Sequence, residues 1–415
     1  MYDSLGRAVK QYVGFDTDET AYGDASSVAD DTILEQTETT YDAAGSVILS
    51  TTRRRFHNAT GDGELTSPDG SQPKARVSYV VFYADPVGRS IATANYGTNG
   101  GSSLTRSDTV PTRSDDVLVS STEYDSTGQA YKTTDPAGKE DRQEFDDAGR
   151  VLKTIQNYQD GVVNGDYPDE DVTVEMTYNA DGQILTLTAK NPTTGDQITR
   201  YVYGTTLDDS AVARADLLRA EIYPDSDDTT DPLGNGSDGV YDRVEYSYNR
   251  QSERIEKTDQ NGTVHVYGFD ALGRMIHDRV TWVGSGIDNA VRRISTTYEV
   301  RGMVASLTSY DDSTVGSGNA LNQVAFEYND LGALVKNYQE HDGEKTAATP
   351  YVGYNFDTTA SGGQFTKGAR PTSIRYPNGR LVHFDYGTSG SMADAMSRIA
   401  AIQDDDSGSP GSSLA

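Results

Sequence analysis

Phe145-Asp146-Asp147-Ala148-Gly149-Arg150-Val151-Leu152 is the stretch that decides the fold. An aromatic residue closes an extended run. An aspartate follows, a glycine comes three positions later, and an arginine and an apolar pair resume. Asp or Asn opens a turn by bonding backbone N–H groups two residues on. Gly supplies the positive φ that the return requires. Strand, Asx–Gly turn and strand make a β-hairpin. The loop has more than two residues, which predicts a type I turn with a Gly bulge.

The phrase recurs along the chain. It reads Tyr2-Asp3-Ser4-Leu5-Gly6-Arg7, Tyr41-Asp42-Ala43-Ala44-Gly45-Ser46, Tyr124-Asp125-Ser126-Thr127-Gly128-Gln129 and Tyr178-Asn179-Ala180-Asp181-Gly182-Gln183. It returns as Phe269-Asp270-Ala271-Leu272-Gly273-Arg274 and Tyr328-Asn329-Asp330-Leu331-Gly332-Ala333, with degenerate copies at Tyr83 (with Gly88-Arg89), Tyr248 and Tyr298. The flanking residues alternate: Val174, Met176 and Tyr178 against Thr173, Glu175 and Thr177, and Val324, Phe326 and Tyr328 against Ala325 and Glu327. A period of two is a strand signature. A second phrase, Thr134-Asp135-Pro136-Ala137-Gly138, recurs as Thr258-Asp259-Gln260-Asn261-Gly262 and, in variant form, as Tyr376-Pro377-Asn378-Gly379-Arg380. Where both phrases are present the period is 21 residues, from Tyr124 to Phe145 and from Tyr248 to Phe269.

Elsewhere the spacing stretches, and the insertions responsible are rich in Gly, Ser, Thr, Asp and Pro. Residues 58–75, 98–116, 158–171, 224–241, 310–320 and 356–370 read as hairpin-tip loops, because repeat phrases resume on both sides. Leu207–Glu221, with Ala211-Val212-Ala213-Arg214-Ala215-Asp216-Leu217-Leu218, is the best candidate for a short helix. The domain reading is a repeat array over 1–403 and a flexible acidic, Ser/Gly-rich tail over 404–415.

Composition agrees. The 415 residues include 41 Gly and 27 Tyr against 9 Phe and 1 Trp, which suits many short strands joined by tight turns. The hydrophobic fraction of 35% is low, so much of each strand is expected to face water or a wet cavity. Asp+Glu total 64 against 35 Lys+Arg, a net charge of −29. Such acidity argues against nucleic acid and against anionic membranes as partners. With no cysteine, disulfides, thiolate metal sites and Cys nucleophiles are excluded. No apolar run approaches 18 residues, so no membrane-spanning segment is read.

Aromatic-Asp-x-x-Gly-Arg with a 21-residue period resembles the RHS/YD-repeat family: bacterial RHS polymorphic toxins, the shell components of insecticidal toxin complexes, and the teneurin extracellular shell. About ten copies carry the resemblance over residues 1–403. It implies an all-β fold of repeated antiparallel β-hairpins forming a spiralling β-sheet shell, a YD-repeat solenoid, with this chain as an open fragment of a larger shell. It also implies a secreted, extracellular or cell-surface setting. The implied partner is an encapsulated or downstream polypeptide such as a C-terminal toxin. The family's self-cleaving core segment is not read here, so neither self-cleavage nor toxicity is assigned to this chain.

No catalytic, cofactor-binding or metal residue is assigned, no cofactor is expected, and the chain is read as a non-enzyme. His57, His265, His277, His341 and His383 form no His-Glu-x-x-His, and no Gly-x-Ser-x-Gly or P-loop occurs. His265 and His383 are read as sheet residues. The loop Asp225-Ser226-Asp227-Asp228-Thr229-Thr230-Asp231 resembles half a calcium loop but lacks the sixth-position Gly and the closing Glu. Arg7, Arg89, Arg150, Arg274 and Arg380 are read as structural, starting the return strand and pairing with a neighbouring turn's Asp. The repeated tyrosines are read as packing. The functional reading is a shell segment that encloses or displays another polypeptide. The alternative is an extracellular adhesion module that recognises a glycan or a cell-surface protein through Tyr rows or loops.

Overall fold

The computed structural model describes residues 1–15, 27–357 and 370–405. The chain is all-β: among the described residues 25 strands lie in antiparallel ladders, and a further two-residue pair, Thr229–Thr230 with Leu233–Gly234, decorates one loop. Two compact units divide at residue 198, Met1–Ile198 and Thr199–Ala415. In each, successive strands pair as a meander. Unit one runs through Val47–Arg55, Ala75–Ala84, Ser90–Gly97 and Leu118–Tyr124, each paired with the next. In unit two Val264–Phe269, Met275–Trp282, Arg293–Tyr298 and Val304–Tyr310 do the same.

The repeated phrase makes the expected turn. The Asp146 N–H donates to the Arg150 carbonyl and the Gly149 N–H to the Asp146 carbonyl, both at 2.9 Å. Asp146 Oδ1 accepts the N–H groups of Ala148 and Arg150, both at 2.9 Å. Asp270 repeats this with Leu272 and Arg274, and Asn329 with Leu331 and Ala333. Gly149 and Gly273 have φ of +82° and +76°, which closes a type I turn with a glycine bulge. The ladder also slips by one residue beside the aromatic, between Glu144 and Phe145, Thr177 and Tyr178, and Thr297 and Tyr298. The second phrase turns the same way, Asp259 Oδ1 accepting from Asn261 and Thr263.

The turns sort by edge. In unit one the first-phrase turns at 42–46, 85–89, 125–129, 146–150 and 179–183 share one edge. The loops 56–74, 98–117 and 159–171 leave from the other. Unit two repeats the arrangement in part: turns at 249–253, 270–274, 299–303 and 329–333 lie opposite the loops 223–243, 311–319 and 341–350, but the loop 204–217 shares the turn edge, where Arg214 donates to Ser252 Oγ. Residues 358–369, the bulk of the insertion read at 356–370, lie outside the described residues. So do residues 406–415 of the acidic tail. The last strand, Ala401–Asp405, takes in Asp404, which pairs with Val382.

Burial is thin. Every residue of Val264–Phe269 is half-buried, and six of the seven in Gln197–Tyr203 are. That is the pattern of a single sheet whose faces are covered locally by loops, as the low apolar content predicts. One core cluster holds Val81, Tyr83, Ala92, Ala94 and Val119 beneath Leu104 and Val117 of the 98–117 loop. A second joins Ile33, Leu65 and Ala75. The alternation read around Val324 differs from expectation, for Ala325 is buried on the opposite face. The loop 341–350 covers that face, its Lys345 N–H bonding Gln323 Oε1 at 2.9 Å and its ammonium bonding Glu327 at 2.8 Å.

The helix expected in Leu207–Glu221 does not form. Ala211 N–H donates to the Tyr248 carbonyl, Thr205 N–H to the Arg214 carbonyl, and Thr205 Oγ1 to the Val212 carbonyl. The segment's backbone groups are drawn sideways onto neighbouring chain, which outcompetes a marginal helical preference, and Leu218–Ile222 is a strand. Helix among the described residues is instead confined to a 3₁₀ turn at Asn99–Gly101 and the single α-helical turn Met392–Ala395.

Positive φ makes Gly273 a sensitive position. Gly273→Ala should lower stability by about 1 kcal/mol or more, read as a drop in the chemical denaturation midpoint. An unchanged midpoint would contradict the turn assignment.

Candidate functional site

The residue after the turn glycine carries the inter-repeat chemistry. Its carboxylate partner is the Asp of its own turn, not of a neighbouring one: Arg7–Asp3 at 2.7 Å, Arg89–Asp85 at 2.7 Å, Arg150–Asp146 at 2.6 Å and Arg274–Asp270 at 2.6 Å. This corrects the sequence reading, and the cause is reach. The turn places residues i and i+4 side by side, so the nearer carboxylate wins. Arg380 differs, pairing with Asp404 at 2.8 Å on the adjacent strand. Backbone and guanidinium donors from Arg150 hold the Asp146 carboxyl below its usual range.

Freed of the neighbouring carboxylate, the guanidinium meets the next phrase through its face. Arg7 lies over Tyr41, Arg89 over Tyr124, Arg150 over Tyr178 and Arg274 over Tyr298, 4.2–4.6 Å from the ring centroids. Each ring is fixed a second time by its hydroxyl. Tyr41 donates to Ala8 O (2.9 Å), Tyr124 to Ser90 O (3.0 Å), Tyr178 to Val151 O (2.7 Å) and Tyr298 to Met275 O (2.9 Å). In every case the acceptor is the carbonyl just after the covering arginine. Arg150 also reaches the next turn's carbonyl, Asn179 O, at 3.3 Å. The arginine of one phrase and the tyrosine of the next therefore form a latch between hairpins.

At two places where the arginine is absent, phenylalanine replaces the tyrosine. Gln129 precedes Phe145 and Glu253 precedes Phe269. Gln129 Nε2 then donates to Gly149 O at 2.9 Å. Met303 precedes Tyr328, and Arg301, inside the turn, supplies the bond to Asn329 O at 2.7 Å. In each pair the side chain after one glycine lies against the next glycine: a Cβ at Gly302 would be 3.3 Å from the Arg274 guanidinium and one at Gly149 2.9 Å from Gln129 Nε2.

Tyr41, Tyr124, Tyr178 and Tyr298 are thus covered by a cation on one face and tied at the hydroxyl, which reduces the ring surface open for stacking a sugar. Tyr83 does not occupy the phrase position assigned to it from sequence. Ala84 does, pairing with Ser90 as Tyr124 pairs with Ala130. Tyr83 instead faces the buried cluster, and Arg106 from the 98–117 loop lies 5.0 Å from its ring centroid.

The acidic loop makes most of its polar contacts within itself, although the buried Asp228 Oδ1 has no hydrogen-bond partner among the described residues. Asp228 is fully buried and ion-paired to Arg243 at 2.6 Å, and Arg243 also donates to Asn235 Oδ1 at 2.8 Å. The Asp227 carboxylate accepts the Ser237 N–H (2.7 Å) and hydroxyl, and Ser226 donates to Asp242. The guanidinium sits where a half calcium loop would want its cation. Among the described residues no cluster of three or more His, Asp or Glu side chains has metal-binding geometry.

His265 and His383 lie in strands, as read. His265 Nδ1 is 2.8 Å from Asp278 Oδ1, and that hydrogen bond raises the imidazole pKa against the opposing effect of burial. His277 Nδ1 meets Ser295 Oγ at 3.0 Å, and burial lowers its pKa. The sequence reading missed these cross-strand partners, because strand register decides them.

No family model matches the chain, and no curated protein matches it. Solved structures do. A crystal structure of TcdB2-TccC3-TEV is 13% identical over 90% of this chain and 21% of that one, with a TM-score of 0.35. One of TcdB2-TccC3 is 12% identical over 92% and 22%, at 0.33. The Photorhabdus luminescens Tc holotoxin pore is 14% identical over 90% and 23%, at 0.25. The chain spans less than a quarter of the length of these structures. Among the described residues no helix is long and apolar enough to cross a membrane.

The latch and the histidine pair each give a measurable outcome. In a double-mutant cycle, Arg150→Met and Tyr178→Leu should couple by about 0.5–1 kcal/mol, the scale of a cation–π contact; strict additivity would remove the latch. A raised His265 pKa favours the charged form in the folded state. The pair's stabilisation is therefore complete below the unfolded value of 6.5 and fades as pH rises through the folded value. NMR titration should show a lower His265 pKa in Asp278→Asn, and an unshifted one would contradict the pairing.

Proposed function

We propose that this chain is a wall segment of an RHS/YD-type shell that encloses or displays another polypeptide, and that it acts as structure, not as a catalyst. The observation that carries the reading is the latch. The Asp, Arg and Tyr side chains that repeat along the chain are engaged with each other from one hairpin to the next, as in Arg150 on Asp146 and over Tyr178. Chemistry-bearing residues used this way serve continuity of a sheet. A wall that holds a partner needs such continuity more than it needs a pocket. The partner in this reading is a polypeptide encoded downstream, such as a toxin, and the setting is outside the cell or at its surface. Adhesion through tyrosine rows is less favoured, since four of the phrase rings are capped by arginine.

A protease-protection assay on the chain expressed with its downstream polypeptide tests the reading. The polypeptide should be digested at least about tenfold more slowly than when free. Equal rates would overturn enclosure. Saturable binding on a glycan array would move the function to adhesion.

A further inference from the structure

At one place in unit one the latch lacks both halves. The residue after the turn glycine is Ser46, where the other unit-one copies have Arg or Gln, and the phrase aromatic that would follow is Ala84. Ser46 cannot reach the next turn, and nothing lies within 4 Å of where a Gly88 Cβ would be. The following glycine is covered in the pairs Arg7–Gly45, Arg89–Gly128, Gln129–Gly149, Arg150–Gly182, Arg274–Gly302 and Met303–Gly332. The space left is a cavity of about 760 Å³ between the turns 42–46 and 85–89, bordered by Ser46, Val47, Ala84, Gly88 and Arg106. Asp42, also on its wall, is the turn aspartate whose arginine is missing. Its Oδ1 accepts the Ser46 N–H at 2.8 Å, while Asp85 keeps Arg89 at 2.7 Å and Asp108 keeps Arg106 at 3.1 Å.

We propose that this cavity binds a phenol that carries a cationic group, an exogenous replacement for the tyrosine and arginine that the repeat omits here. The intact latches show how such a ligand sits. The ring takes the space of the absent residue-84 aromatic, between the two turns. Its hydroxyl donates to the Val47 carbonyl, the counterpart of Ala8 O under Tyr41 and Ser90 O under Tyr124. The cation pairs with Asp42, as Arg7 pairs with Asp3. Burial of one aromatic face supplies affinity, and the carboxylate selects for positive charge. The same chemistry arises from a small aromatic amine or from a Tyr-Arg sequence on another chain.

The test is saturation-transfer NMR on the 415-residue chain with tyramine and, separately, with acetyl-Tyr-Arg-amide. At least one should bind saturably, and the one that does identifies the source. Ala84→Phe, which fills the slot, should abolish the signal, as should Ser46→Arg with Ala84→Tyr. Asp42→Asn should weaken binding about threefold, the modest worth of a partly exposed ion pair. Melting temperatures distinguish a filled slot, which should hold or raise Tm, from a misfolded variant, and Ala84→Phe is the milder change if the double variant fails to fold. No saturable binding of either probe would overturn the proposal, as would undiminished binding by a folded Ala84→Phe protein.

Discussion

A single carboxyl or amide oxygen, accepting the N–H groups two and four residues further on, is the interaction on which the rest of this structure depends. In Asp146 it captures Ala148 and Arg150, and in Asn179 it captures Asp181 and Gln183. It fixes the hairpin's width and direction, and so brings the residue after the glycine back beside residue i. From there that side chain can satisfy its own aspartate and still lean across the gap to the next tyrosine. Long-range order between hairpins thus follows from a contact confined to five residues.

The latch compensates for what the sheet lacks. A layer with half-buried residues on both faces gains little from apolar burial in any one strand, and the clusters around Val81 and Ile33 are small. Arginine stems and tyrosine rings supply apolar contact while keeping polar atoms bonded. In the phrase position tyrosine has an advantage over phenylalanine, because its hydroxyl has a carbonyl to meet, with or without an arginine on the ring. Part of the acid is structural for the same reason, since turns such as those at Asp146 and Asp270 place a carboxylate on backbone donors.

What was legible in the sequence was whatever depends on neighbours in the chain. The Asx–Gly turns, the glycines with positive φ, the strand class and the placing of insertions at hairpin tips all follow from residues a few positions apart. The latch depends on two residues separated by about twenty to forty positions, as in Arg150 and Tyr178 or Arg89 and Tyr124. Both were visible as repeated letters, but their contact was not, and Arg was therefore matched to the wrong aspartate. Tyr83 misled because an aromatic one position early still resembles the phrase, although the shift sends its ring to the other face. The segment around Ala211 misled because its composition suits a helix, while its hydrogen-bond partners lie on a strand beginning at Val244. The cross-strand pair His265–Asp278 required a register, and Asp228–Arg243 a loop closure, that no local pattern encodes.

Placing most of the long insertions on the edge opposite the first-phrase turns uncouples distance along the chain from distance in space. From Phe145 to Tyr178, or from Tyr124 to Phe145, the polypeptide takes 33 or 21 residues, yet each pair of aromatics marks one hairpin step. Growth at the looped margin leaves the turn margin's geometry untouched. Variation in a lineage can therefore accumulate on one border as new surface while the other keeps its spacing. A search for a fixed sequence period would miss such a protein, whereas counting turns would find it.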